Sequence, residues 1–109
     1  NDLASRARSR KLGLDEIQGG TFTITNPGVF GDIFATPIIN QPQVAIQAVG
    51  TIAKRPVVVT DALGNDAIAI RQIMYSGLSF DHRVVDGAVG DQFMSVVKKE
   101  LETGTFGLE

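Results

Sequence analysis

Gly77-Leu78-Ser79-Phe80-Asp81-His82-Arg83-Val84-Val85-Asp86-Gly87-Ala88-Val89 joins the most extended stretch of this chain to its clearest helix. Upstream, Ile68, Ile70, Gln72, Met74 and Ser76 alternate with Ala69, Arg71, Ile73 and Tyr75, so Ala67 to Phe80 is predicted as one long strand. Downstream, Val89, Phe93, Val96, Val97 and Leu101 fall on one stripe of a helix from Gly87 to Glu102. Lys98, Lys99, Glu100 and Glu102 lie mostly off that stripe, and Gly104 follows as a stop. The junction between them holds His82, the one histidine of the chain. A side chain there is fixed by rigid elements yet can face a cleft.

Working outward, Asp61 to Asp66 carries Gly64-Asn65 and reads as a hairpin turn after a short strand, Val57 to Thr60. Val44 to Val49 is a compact apolar run expected to be a buried strand ended by Gly50. Val29 to Gln43 is interrupted by Gly31, Pro37 and Pro42 and is predicted to be a packed irregular segment, with a short extended piece at Pro37 to Asn40. Thr21 to Thr25 alternates Phe22 and Ile24 with threonines, a strand closed by the turn residues Asn26-Pro27-Gly28. Asp2 to Lys11 has helical spacing and no Gly or Pro, and Leu14 to Ile17 adds one more turn. The order helix, strands, hairpin, strand, helix predicts an α+β fold with a mixed or antiparallel sheet.

The chain has 109 residues, 43% hydrophobic and 20% charged, a globular composition. A domain of this size buries only about two-thirds of its unfolded surface, so independent folding is not assured. The net charge of -2 creates no overall positive field toward nucleic acid or membrane. With no cysteine, disulfides, thiolate nucleophiles and cysteine metal sites are excluded. No phosphate-binding loop, dinucleotide fingerprint or metal-ligand cluster is present. The first residues do not form a signal peptide, and no apolar run approaches the ~20 residues of a membrane span. Asn1 is not a natural start residue, which suggests a chain cut from a longer one.

Chemistry can be placed at three side chains. His82 has an imidazole able to take a proton from a thiol or hydroxyl near neutral pH; a lone histidine is more often structural. Asp86, four residues on, could orient His82, pair with Arg83, or cap the helix that follows. Thr25 could donate its hydroxyl to an oxyanion, though a threonine at a strand end is ordinarily just a β-branched strand residue. Arg6, Arg8, Arg10 and Lys11 read as a solvated helix face. Lys54-Arg55 is a second small basic site that could meet a phosphate-bearing cofactor.

His82-Arg83-Val84-Val85-Asp86-Gly87 resembles the active-site motif of the E2 acyltransferases of 2-oxo acid dehydrogenase complexes. That H-x-x-x-D-G pattern is shared with chloramphenicol acetyltransferases. The surrounding text is more specific: Gly19 to Asn26, Gly28-Val29-Phe30-Gly31, Thr36 to Gln43, Lys54-Arg55-Pro56 and Ser79-Phe80-Asp81 follow the E2 pattern in order and spacing. The resemblance implies a chloramphenicol-acetyltransferase-like fold, a mixed sheet flanked by helices, in homotrimers that can build a 24-subunit cubic core. It implies transfer of an acetyl, succinyl or branched-chain acyl group between dihydrolipoamide, carried on a separate lipoyl domain, and coenzyme A, with E1 and E3 components as partners. His82 matches the catalytic base, Thr25 the oxyanion donor supplied by the adjacent subunit, and Asp86 a supporting residue. No metal is implied, and the residues that hold coenzyme A are not identified. The expected setting is the bacterial cytoplasm or the mitochondrial matrix.

The family domain is about twice this length, so residues 1–109 are expected to be its C-terminal part, with the N-terminal half missing. Gln47 stands where the family strand is usually apolar; buried, it needs a partner, or else it faces a surface exposed by truncation or used in assembly. Asn26-Pro27-Gly28-Val29-Phe30-Gly31 looks closer to succinyl- or branched-chain-type members than to acetyl-type ones. An alternative is an inert, truncated assembly core of the same complex. A free-standing antibiotic acetyltransferase would need the same histidine, but the Thr23-Ile24-Thr25-Asn26 and Pro37 to Gln43 segments favour the E2 proteins.

Overall fold

The computed structural model describes residues 1–104. Its elements are α1 (Asp2–Arg8), α2 (Leu14–Ile17), β1 (Thr23–Thr25), a 3-10 turn (Pro27–Phe30), β2 (Ala45–Val49), β3 (Ala53–Thr60), β4 (Asp66–Ile73), β5 (Ser76–Phe80) and α3 (Gly87–Thr103). They form two separate sheets. One is mixed, in the order β1-β2-β5, with β1 parallel and β5 antiparallel to the central β2. The other is a two-stranded β3–β4 ribbon. The α+β expectation with a mixed sheet therefore holds.

Strand β2 is the core. Ala45, Ile46, Gln47 and Ala48 are all buried, because the sheet is covered on both faces at this strand. On one face lies α3: Gly90 packs so close to Phe80 that a Cβ there would sit 2.8 Å from the ring, and Phe93 meets Phe22 at 5.7 Å between centroids. On the other runs the irregular segment before β2. Its carbonyls at Ile33 and Ala35 leave no room for a Cβ at Gly50 and little at Gly77, and Asp32 accepts a bond from the Thr51 N–H at 2.8 Å.

Four expectations are corrected. The predicted single strand Ala67 to Phe80 is two strands in different sheets. Its alternation runs unbroken through Met74-Tyr75, but the Tyr75 carbonyl accepts from Gly50 N–H at 2.9 Å and the chain then changes partner from β3 to β2. Periodicity reports which face a residue takes and is blind to which sheet it joins. The strand expected from Val57 begins at Ala53 and tolerates Pro56 because the ribbon has free outer edges. The first helix ends at Arg8 rather than Lys11, since Arg10 adopts φ 56 and its N–H and that of Lys11 bond back to Ala7 and Arg6. The segment Val29 to Gln43 is irregular as expected but poorly covered within this chain, with Phe30 88% and Ile38 90% exposed.

Among the described residues the ribbon packs against no other helix or strand. Val58, Ile68 and Ile70 share its outward face, at 67%, 80% and 70% exposure. At its tip, Asp61 closes the turn by accepting from the N–H groups of Leu63 and Asn65, and Gly64 takes φ 86 as the turn requires.

Candidate active site

Strand β5 delivers the chain to the start of the central strand β2, where Asp81 N–H donates to the Val44 carbonyl at 2.8 Å. A tight turn follows, with the N–H groups of Val84 and Val85 both donating to the Asp81 carbonyl at 2.9 Å. The Asp81 carboxylate clamps the turn: it accepts from Arg83 N–H at 3.0 Å, from Nε at 2.9 Å and from Nη2 at 2.7 Å. The Arg83 guanidinium and N–H together pull the Asp81 carboxyl down to about 2. Arg83 is thus committed to Asp81, and of the alternatives for Asp86 a pairing with Arg83 is absent among the described residues.

His82 projects from the apex of this turn. It is exposed, its ring rests against Phe80 at 5.6 Å between centroids, and it makes no hydrogen bond among the described residues. Neither ring nitrogen is occupied by a partner among the described residues. Asp86 ends the turn and begins α3: its Oδ1 accepts from Val89 N–H at 2.8 Å, an N-cap. The cap reading of Asp86 is the one the geometry displays, and it fixes the angle at which the turn leaves the helix.

Thr25 is elsewhere. In the register of the sheet it lies beside Ala48 and Gly77, whereas Phe80 lies beside Ala45. From that register, His82 and Thr25 are about 13 Å apart along the strands and about 10 Å apart across them. The structure brings His82 and Asp86 to one turn and leaves Thr25 at the opposite end of the sheet. The Thr25 hydroxyl is half-buried and has no hydrogen-bond partner among the described residues.

Gln47 finds the partner its burial demands: its Nε2 donates to Ser76 Oγ at 2.8 Å, and Ser76 Oγ donates to the Ala48 carbonyl at 3.0 Å. It floors an open cavity of ≈ 550 Å³ with Ile24, Met74, Val97 and Leu101. Two features escaped sequence reasoning, the Asp81–Arg83 clamp and the contact of Arg55 with Tyr75, 5.7 Å from the guanidinium carbon to the ring centroid. The first was within reach, since Asp and Arg flank His82 in the sequence.

Residues 1–106 match the family model described as 2-oxoacid dehydrogenases acyltransferase (catalytic domain). Over 105 residues, 96% of the chain, 50% are identical to the dihydrolipoyllysine-residue acetyltransferase component of the pyruvate dehydrogenase complex of Mycobacterium tuberculosis. Over 101 residues, 93% of the chain, 46% are identical to the dihydrolipoyllysine-residue succinyltransferase component of the 2-oxoglutarate dehydrogenase complex of Bacillus subtilis. The chain spans 19% and 23% of the length of these two relatives. Among solved structures, a probable dihydrolipoamide acetyltransferase from Listeria monocytogenes superimposes with a TM-score of 0.87 at 38% identity, over 99% of this chain and 44% of that one. A dihydrolipoamide acetyltransferase from Azotobacter vinelandii, solved to probe a serine, a histidine and an asparagine in its catalytic mechanism, superimposes at 0.81 and 40% identity, over 92% and 39%. The cubic core of a pyruvate dehydrogenase multienzyme complex gives 0.81 and 39% identity, again over 92% and 39%.

Proposed function

The chain belongs to the acyltransferase catalytic-domain family of the 2-oxo acid dehydrogenases, and on that premise we propose that it supplies both halves of a site for acyl transfer between dihydrolipoamide and coenzyme A. His82 acts as the base. It takes the proton from the attacking thiol, whose unperturbed pKa of about 8.5 leaves little thiolate at neutral pH. The sulfur attacks the acyl thioester carbon, and the Thr25 hydroxyl donates to the oxyanion that forms. The intermediate collapses with departure of the other sulfur, which recovers the proton from His82. The Asp81–Arg83 clamp and the Asp86 cap hold the His82 turn in place. The histidine and asparagine examined in the Azotobacter vinelandii protein stand four positions apart, the spacing of His82 and Asp86 here.

The observation that carries this reading is the separation of Thr25 from His82. A base and an oxyanion donor acting on one thioester must each come within about 3 Å of neighbouring atoms. Within one chain these two lie at opposite ends of a sheet. In this proposal a second copy makes up the separation: the Thr25 of one copy serves the His82 of another, the arrangement expected of a trimer with sites between subunits. The cubic core seen in a similar structure fits repeated copies of such a trimer. The same proposal includes the chloramphenicol-acetyltransferase-like fold, with residues 1–109 as the C-terminal part of the domain. The acetyltransferase and succinyltransferase relatives differ by four points of identity, so identity does not select the acyl group.

The test is complementation in the intact protein. His82→Ala and Thr25→Ala are each expected to lower turnover about a hundredfold or more. Dissociated and reassembled together, the two inactive variants should regain a substantial fraction of the wild-type rate, through sites that draw His82 and Thr25 from different chains. Full activity of His82→Ala, or no recovery in verified mixed assemblies, contradicts the proposal.

A further inference from the structure

At the base of the β3–β4 ribbon, Arg55 and Arg71 stand directly opposite in the antiparallel register. Residues so paired share a face with Cβ atoms about 5 Å apart, and like charges there destabilise the sheet. Among the described residues no carboxylate compensates. Ion pairs among the described residues engage Arg6, Arg83 and Lys98 and neither of these arginines. The flanking register positions on the same face are Ala53, Val57, Ala69 and Ile73, and the next pair on the other face is Lys54 with Gln72. The one acid of the two strands, Asp66, lies at the far end and accepts from Thr60. The Arg55 Nε is shielded from water and has no acceptor, while its guanidinium rests near the Tyr75 ring at 5.7 Å. A buried donor left unbonded is costly, so the Arg55 side chain is not satisfied by the described residues of one copy.

We propose that Arg55 and Arg71 form a receiving site for a phosphate monoester. Charge selects the ligand class. Two guanidiniums carry two positive charges, which one phosphomonoester dianion neutralises and one carboxylate does not. Two guanidiniums carried on one face also offer more donors than a carboxylate has oxygens to use, while three phosphate oxygens can take a forked pair from each. The ribbon base adjoins Tyr75 and Gly50, at the Thr25 end of the sheet. The ligand can therefore be a free phosphate compound or, resting on the acyl-transfer reading above, the phosphate-bearing end of its thiol acceptor.

Calorimetry on the intact assembled protein tests the site with adenosine 3′-phosphate, inorganic phosphate and adenosine as probes. Saturable binding of adenosine 3′-phosphate is expected, with none for adenosine. Arg55→Gln and Arg71→Gln should each weaken it at least tenfold, and Lys54→Gln, on the opposite face, less than twofold. Arg71 is exposed, so Arg71→Gln remains informative if Arg55→Gln fails to assemble. Binding that is absent in the wild type, or unchanged in both arginine variants, overturns the proposal. So does loss of assembly mass in both variants without phosphate binding in the wild type, which assigns the pair to a carboxylate on a second copy. Kinetics then separate the sources. A raised KM for coenzyme A but not for its 3′-dephospho form, at unchanged kcat, assigns the acceptor; weakened inorganic phosphate binding with both KM values unchanged assigns a free phosphate. Phosphate binding that persists in a protein without acyl transfer sustains this site and removes the acyl-transfer reading alone.

Discussion

In the proposed mechanism Asp81, His82, Arg83 and Asp86 divide between chemistry and scaffolding within six positions. His82 was legible as a candidate because it is the one imidazole and sits where a strand meets a helix. Its setting was less legible: which neighbour holds Arg83 depends on the path of the turn, and Asp81 takes it in a fork that Asp86 cannot reach while capping α3. Asp86→Ala removes the cap and should lower stability by about 1 kcal/mol, whereas Asp86→Asn, an equally good cap, should restore it. Chemical unfolding of the assembled variants, read beside turnover, checks both; equal stability of the two would show that the cap contributes nothing. The clamp has a pH signature. Because Arg83 holds the folded Asp81 carboxyl at about 2, below its ordinary 3.8, the clamp is fully present above about pH 4. It is lost as pH falls toward 2. Carboxyl-carbon NMR titration of Asp81 measures this directly, and a midpoint near the ordinary value would refute it.

Among the elements, α3 and the hairpin turn were readable from periodicity and turn residues. The sheet partners were not. A strand's alternation encodes a face, and β4 and β5 alternate in phase through Tyr75 while belonging to different sheets. The close approaches that fix the layers leave only glycines as their trace. Gly90 lets α3 settle against Phe80, the ring on which His82 rests. A methyl group there must displace either the helix or the ring. Gly90→Ala is therefore expected to cost about 1–3 kcal/mol and to reduce turnover by shifting His82, although residue 90 touches no substrate in the proposed mechanism. Thermal unfolding and kcat of the intact variant are the measurements; wild-type values in both would mean that the layers yield without consequence.

The whole molecule is open. Its accessible surface is 8926 Å², against about 5,800 Å² for a compact monomer of this mass. Its radius of gyration is 17.5 Å, against about 13 Å for a compact chain of this length. The excess lies in apolar side chains such as Phe30, Ile38, Val58, Ile68 and Leu101. Patches of that extent mark surfaces made for association. Composition predicted a globular chain, and it could not reveal how much of the covering comes from outside, because a residue destined for an interface is as apolar as one destined for a core. Residues 1–109 expressed alone are expected to bind a hydrophobic dye strongly and to sediment as associated species at micromolar concentration. A monodisperse monomer without dye binding would contradict this.

The placement of Thr25 and His82 at opposite ends of one sheet has a consequence for dilution. If each site is shared between copies, the catalyst is not the chain but the contact between chains, and its amount is set by mass action. Specific activity should then fall as the protein is diluted below its dissociation constant, with Asp81 and Asp86 still holding the His82 turn in every dissociated copy. Concentration would regulate this protein without any change in its shape.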